Sequence, residues 1–160
     1  MRRTPIISAV VAVLAAGGIL AVSGGAQEPT GQTIQFTERD GNEKFVDVAP
    51  RAKRQFEFGA GDSFLFSKRL FDDANKRIGR LDVQCSITVG GRSARGTCVG
   101  VFALPDGDLH AVARLTTAND INGAIIGGTR AYAGARGTFK TVNSPGGSNQ
   151  PAKTTITLLP

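Results

Sequence analysis

Apolar and polar residues alternate strictly between positions 80 and 89 of the chain. This period of two predicts a β-strand with one buried face and one face toward solvent or a pocket. Shorter segments of the same character recur, separated by turn signals rich in Gly, Asp and Pro, such as 40–42 and 105–108. The other predicted strands are 33–37, 44–48, 63–67, 94–104, 109–116, 123–126, 137–142 and 153–159.

These segments amount to about eight strands, and no stretch shows the spacing of an amphipathic helix. Short strands with frequent turns are typical of a sandwich or a barrel, and the 21 glycines among 160 residues suit many tight turns. A closed barrel leaves no unpaired sheet edge. We therefore expect an all-β protein with a closed antiparallel barrel of about eight strands.

The N-terminus has a different pattern, which is typical of a cleavable secretory signal peptide. Arg2 and Arg3 precede an uncharged apolar run over 6–22, and small residues follow up to Ala26. We expect a signal peptide over 1–26, a barrel domain over 27–160 and a secreted, extracellular protein. The alternative is an uncleaved membrane anchor, because the run is just long enough to span a bilayer. Contact with a membrane is expected only through such an uncleaved segment.

The two cysteines are Cys85 and Cys98, and export would place them where disulfides persist. If Val89 pairs with Ala94 across the turn at 90–93, Cys85 lies opposite Cys98, within disulfide reach. Two cysteines and one histidine do not make a zinc site without carboxylates. We predict a Cys85–Cys98 disulfide, with two free thiols as the alternative, and no metal site.

The net charge of +6 includes Arg2 and Arg3, so the mature chain is only mildly basic. Its tightest basic cluster lies at 51–54. Surfaces that bind nucleic acid concentrate positive charge beside stacking aromatic residues. A solvated loop is the better interpretation of this cluster, and we expect no nucleic-acid partner.

The segment Gly127–Phe139 reads GGTRAYAGARGTF. It resembles the C-terminal signature of the dirigent and allene oxide cyclase superfamily, with Arg130 where that signature has a glycine. The resemblance extends over about 58–142. Weaker matches follow the family's order at 61–66, 78–80 and 104–107 and at the two cysteines.

The resemblance implies an eight-stranded barrel with a central apolar pocket. Barrels of this family often form homotrimers, and we expect a homotrimer or a homodimer. It implies a small apolar ligand or substrate, whose cyclisation or coupling the pocket steers without a cofactor by holding one conformer. The Asp-Asp pair of plant dirigent proteins is replaced here by Ser67-Lys68. Two alternatives remain: a non-catalytic, lipocalin-like binding protein, and a structural envelope protein whose side chains fill the barrel.

Three residues are candidates for catalysis. Tyr132 lies in the signature and would orient a substrate oxygen or act as an acid, or else pack against the barrel end. Arg114 would bind a substrate oxygen if its strand face lines the barrel, or else is solvated. Asp62 is either a pocket carboxylate or the cap of its own turn.

Four residues are candidates for ligand contact. Phe64, Phe66 and Phe102 are expected either in the core or in the wall of a hollow barrel. His110 is the only histidine, and it shares a strand face with Arg114, opposite the apolar face. It therefore contacts a ligand only if that face is the inner one; otherwise it lies at the surface.

Overall fold

The computed structural model describes residues 31–49, 58–115, 120–144 and 150–160. The predicted signal peptide and the basic cluster at 51–54 lie outside these residues. Eight strands form a closed antiparallel barrel in sequence order, and the last strand pairs with the first. The predicted barrel is therefore confirmed. The strands are β1 (Thr33–Val46), β2 (Ser63–Phe71), β3 (Arg77–Val89), β4 (Arg95–Leu104), β5 (Gly107–Leu115), β6 (Asp120–Gly128), β7 (Gly137–Asn143) and β8 (Ala152–Leu158).

Alternate residues of each strand point into the barrel, and the most deeply buried of them lie toward one end. At this closed end, a 3₁₀ turn over Arg130–Tyr132 joins β6 to β7. The opposite, open end is where β5 and β7 finish and where β6 and β8 begin. The large apolar side chains with almost no exposure are Phe36, Leu70, Phe102, Leu109, Ile125 and Ile156.

The predicted turn at 40–42 is wrong, because β1 continues through it. The segments predicted as two strands form one strand of 14 residues. Arg39 pairs with Arg69 and Gly41 pairs with Lys68, so β1 carries one extra residue there. This β-bulge needs the glycine, since a Cβ at Gly41 would clash with the Ser67 carbonyl. The bulge also changes which residues of β1 face inward.

The hairpin of β3 and β4 carries the predicted disulfide. Cys85 pairs with Cys98, and the two are joined by a disulfide, so this prediction is confirmed. The expected pairing of Val89 with Ala94 is wrong by one position. Val89 pairs with Arg95, because the register shifts between Ile87 and Val89.

The structure contains strands and one short helical turn in its described ranges. No helix among those residues is long and apolar enough to cross a membrane.

Candidate functional site

The barrel encloses a cavity of about 490 Å³ between the buried layer and the open end. Cavities of this size hold small organic ligands. Phe102 forms part of its inner surface and packs against the rings of Phe36 and Phe139, with centroid distances of 5.5 and 5.6 Å. Exposed Asn143 and Ser144 line the cavity where it approaches the open end.

The two sides of the cavity differ in polarity. Charged side chains come from β1 and β2, namely Glu38, Glu43 and Lys68. The side formed by β3 to β6 is apolar and includes the disulfide. A ligand with one polar edge and an apolar body matches this division. The residues of the apolar side are Leu81, Val83, Cys85, Cys98, Val99, Gly100, Phe102, Ala111, Ala113, Leu115 and Ile121.

Glu38 is a carboxyl group buried in this cavity, with 6% of its surface exposed. The Thr154 hydroxyl donates a hydrogen bond to Glu38 Oε1 at 2.5 Å. The oxygens of the Thr141 and Thr154 hydroxyls lie 2.7 Å apart. Since the Thr154 proton is directed to Glu38, Thr141 donates to Thr154 when Glu38 is ionised. Three side chains from β1, β7 and β8 thus form one hydrogen-bonded chain.

The charge state of Glu38 is set by opposing effects. Burial raises the pKa of Glu38 above the ordinary 4.5, because an apolar environment disfavours the carboxylate. The hydrogen bond from Thr154 and the positive charge of Lys68 lower this pKa by smaller amounts. Glu38 therefore keeps its proton to a higher pH than an ordinary glutamic acid and still has partners that stabilise its ionised form. These are the properties of a residue that gives and takes a proton.

Comparison with known proteins finds similarity in structure only. No protein-family model matches the chain. No curated protein matches its sequence. A pyocyanin demethylase is similar, with a TM-score of 0.67 and 21% identity over 79% of this chain and 99% of the other. A pterocarpan synthase dirigent protein has a TM-score of 0.62 and 18% identity over 82% and 95%. An exo-specific intermolecular Diels–Alderase has a TM-score of 0.57 and 16% identity over 81% and 98%.

This chain has the dirigent-like barrel fold. The resemblance drawn from Gly127–Phe139 is thereby confirmed for the architecture. At these identities the likeness establishes the fold alone.

The signature that carries the resemblance closes the barrel rather than lining the cavity. Tyr132 belongs to the apolar core at the closed end, and burial together with the Asp106 carboxylate raises its pKa. Thr129 Oγ1 accepts a hydrogen bond from the Asp108 amide at 3.0 Å. Arg136 Nη1 donates to the carbonyls of Ile126 and Ala135 at 2.9 and 3.0 Å. Of the two alternatives for Tyr132, the structure shows packing against the barrel end.

Arg114 and His110 lie on the outer face of β5. Both are exposed, and the residues of β5 that line the cavity are Ala111, Ala113 and Leu115. The structure thus places this face outside, which is the solvated alternative for Arg114 and the surface alternative for His110. The inner positions of β5 are the odd-numbered ones, because they carry the apolar residues.

Asp62 caps its own turn, as the second of its two interpretations supposed. Its carboxylate accepts hydrogen bonds from the backbone amides of Val48 at 2.9 Å and Gly59 at 2.6 Å. Asp62 is buried, with 1% of its surface exposed, and it does not line the cavity. These contacts assign Asp62 to the stability of the loop before β2.

The predicted ligand-contact phenylalanines separate into two groups. Phe66 and Phe102 line the cavity. Phe64 instead packs with Phe45 and Phe58 at centroid distances of 5.0 and 5.1 Å. This second aromatic cluster lies toward the open end, beside the first residues of β2.

Glu38 was missed by sequence reasoning, although a signal for it exists. Ile34, Phe36 and Glu38 occupy alternate positions of β1 and therefore share its inner face. A carboxyl group that continues an apolar face is a candidate for a buried acid. The predicted strand ended at residue 37, because the Asp-Gly-Asn segment was interpreted as a turn.

The described ranges offer little for a metal ion. Within them, no three His, Cys, Asp or Glu side chains are grouped closely enough to hold one.

Proposed function

We propose that this dirigent-like barrel binds a small, largely apolar molecule in its cavity and steers its cyclisation or rearrangement without a cofactor. In this proposal the Glu38 carboxyl group donates a proton to the substrate and later takes one back. The observation that carries the proposal is a buried carboxyl group, hydrogen-bonded to Thr154, in a cavity of about 490 Å³. Barrels of the same fold include proteins named as a dirigent pterocarpan synthase and a Diels–Alderase, which supports chemistry that joins or closes rings.

The proposed proton transfer begins with neutral Glu38. Its carboxyl group donates a proton to a substrate oxygen as negative charge develops there, and Glu38 becomes a carboxylate. The Thr154 hydroxyl and the Lys68 ammonium stabilise that carboxylate. Glu38 then recovers a proton from the rearranged intermediate, so no proton is gained or lost overall. The protein acts as a general acid and then as a general base.

The apolar side of the cavity supplies the second part of the proposal. Because Ala111, Ala113 and Gly100 are small, space remains beside β4 and β5 for the body of the ligand. A flexible substrate confined there has fewer conformers available, and restriction to a reactive conformer lowers the entropic part of the barrier. The barrel thereby selects which ring or bond forms.

The proposal also includes export. Removal of residues 1–26 would release the barrel outside the cytoplasm, where the Cys85–Cys98 disulfide persists. The ligand would then be an extracellular or envelope molecule.

The role of Glu38 is tested with 5-nitrobenzisoxazole, a flat apolar bicycle of suitable size. A carboxylate base removes its ring C–H proton, its N–O bond breaks, and a coloured nitrophenolate forms. With Glu38 as the base, Glu38→Gln is expected to lower kcat/KM by roughly 10²-fold or more, and Glu43→Gln to change it by less than about twofold. Glu43 is the matched control, since it lines the same cavity but is exposed.

The pH profile is part of the same test. The rate should rise with pH as Glu38 ionises, above the ordinary pKa of 4.5. Equal losses in the two variants would contradict the proposal. Binding of the bicycle with no more acceleration than a carboxylate buffer provides would instead assign the barrel as a carrier.

A further inference from the structure

Three arginines lie directly opposite one another on the outer wall of the barrel. Arg39 of β1 pairs with Arg69 of β2, and Arg69 pairs with Arg80 of β3. Paired positions of antiparallel strands point to the same face, with Cβ atoms about 4.5–5.5 Å apart. We call Arg39, Arg69 and Arg80 the arginine row. Like charges in such a row repel, so the arrangement lowers stability unless something neutralises it.

The side chains that the structure describes neutralise the row only in part. Arg80 Nε pairs with Asp82 Oδ2 at 2.7 Å, and both groups are about half exposed. Arg39 Nη1 donates to Asn75 Oδ1 at 2.5 Å, and an amide carries no charge. Arg39 Nε is buried without a hydrogen-bond partner in the described structure. Three guanidinium charges thus face one described carboxylate.

The guanidinium of Arg39 is held in position before any ligand arrives. It lies over the ring of Phe71, with 5.2 Å between Cζ and the ring centroid. Asn75, its hydrogen-bond partner, has a φ of 62°, a left-handed conformation that asparagine tolerates better than most residues. A group that is already ordered loses less entropy when it binds a ligand.

We propose that the arginine row binds a tetrahedral oxyanion, namely phosphate, sulfate or a monoester of either. The planar fork of a guanidinium matches the oxygens of such an anion. Neighbouring positions about 5 Å apart allow one anion to accept hydrogen bonds from two guanidinium groups. The site lies on the outer wall and does not depend on the function proposed for the cavity.

The test measures the thermal midpoint of the purified protein in phosphate, sulfate and chloride at matched ionic strength. An anion that binds only the folded state should raise the midpoint by about 3 °C or more when well above its Kd. In Arg69→Gln, the extra rise in phosphate and sulfate over chloride should disappear. Arg114→Gln is the matched control, because it removes an exposed arginine of β5 and should keep the full anion effect.

A second readout separates binding from a structural role. In chloride, Arg69→Gln should raise the midpoint, since it relieves repulsion within the row. Equal anion effects in wild type and Arg69→Gln, or a lower midpoint of Arg69→Gln in chloride, would overturn the proposal. Glycerol 3-phosphate tested in the same way identifies the source: a larger shift than phosphate assigns an ester, and an equal or smaller shift assigns the free anion.

Discussion

At the scale of single residues, Arg130 occupies a conformation that suits glycine. Its φ is 51°, in the left-handed region, at the position where the superfamily signature has glycine. A side chain there costs roughly 1–2 kcal/mol, part of which glycine's greater chain entropy offsets. Arg130→Gly should therefore raise the free energy of unfolding by about 0.5–1 kcal/mol, measured by urea denaturation. Arg130→Ala should give no such gain, and an equal gain from both variants would point to charge instead.

The role of a single residue could be predicted from the sequence where contacts with its neighbours in the chain determine that role. Asp62 follows a glycine turn, and capping was one of its two interpretations because that bond is local. For Glu38 the alternation of β1 carried the signal, but the hydrogen-bond partner of its carboxyl group is Thr154, which is 116 residues away in sequence. Whether Arg114 points into or out of the barrel depends on which face of β5 lines the interior. The sequence of one strand alone does not determine which face that is.

At the scale of elements, the β3–β4 hairpin was the most predictable part of the chain. Strict alternation over ten residues identified β3, and the assumed four-residue turn placed Cys85 opposite Cys98, as the structure shows. The irregularity between Ile87 and Val89 was not visible, because a bulge leaves the apolar pattern on either side intact. The bulge at Gly41 was missed for another reason, because the Asp-Gly-Asn residues at 40–42 also favour a turn.

The disulfide closes a short loop, since Cys98 follows Cys85 at a sequence separation of 13. Replacing both by serine should lower the free energy of unfolding by about 2–3 kcal/mol, since the unfolded chain regains the conformations that the bridge removed. Denaturation with and without a reductant checks this. Wild type should approach the double variant when reduced, and the double variant should not respond. A double variant as stable as the oxidised protein would contradict the assigned role.

At the scale of the whole molecule, eight strands and closure followed from strand count and turn spacing, whereas the cavity did not. Its volume depends on the sum of inward side chains from all strands, including the small residues Gly100, Ala111 and Ala113. The predicted homotrimer or homodimer stays a prediction. Exposed Leu65 and Ile126 on the outer wall are suited to such an interface.

The raised pKa of Glu38 also makes the stability of the whole barrel depend on pH. The folded protein holds this proton more tightly than the unfolded chain does. The contribution of Glu38 to stability should therefore be lost as pH rises from 4.5 through its folded pKa, and each unit by which the pKa is raised corresponds to about 1.4 kcal/mol. Glu38→Gln removes this contribution.

The most direct measurement is a ¹³C NMR titration of the glutamate side-chain carboxyl groups, with Glu38→Gln identifying the Glu38 signal. The account predicts that Glu38 titrates above 4.5 and that its pKa rises further in Lys68→Met, since the positive charge that favours the carboxylate is gone. A Glu38 that titrates at or below 4.5 and does not respond to the loss of Lys68 would contradict the assignment of this residue as the proton-transfer group of the cavity.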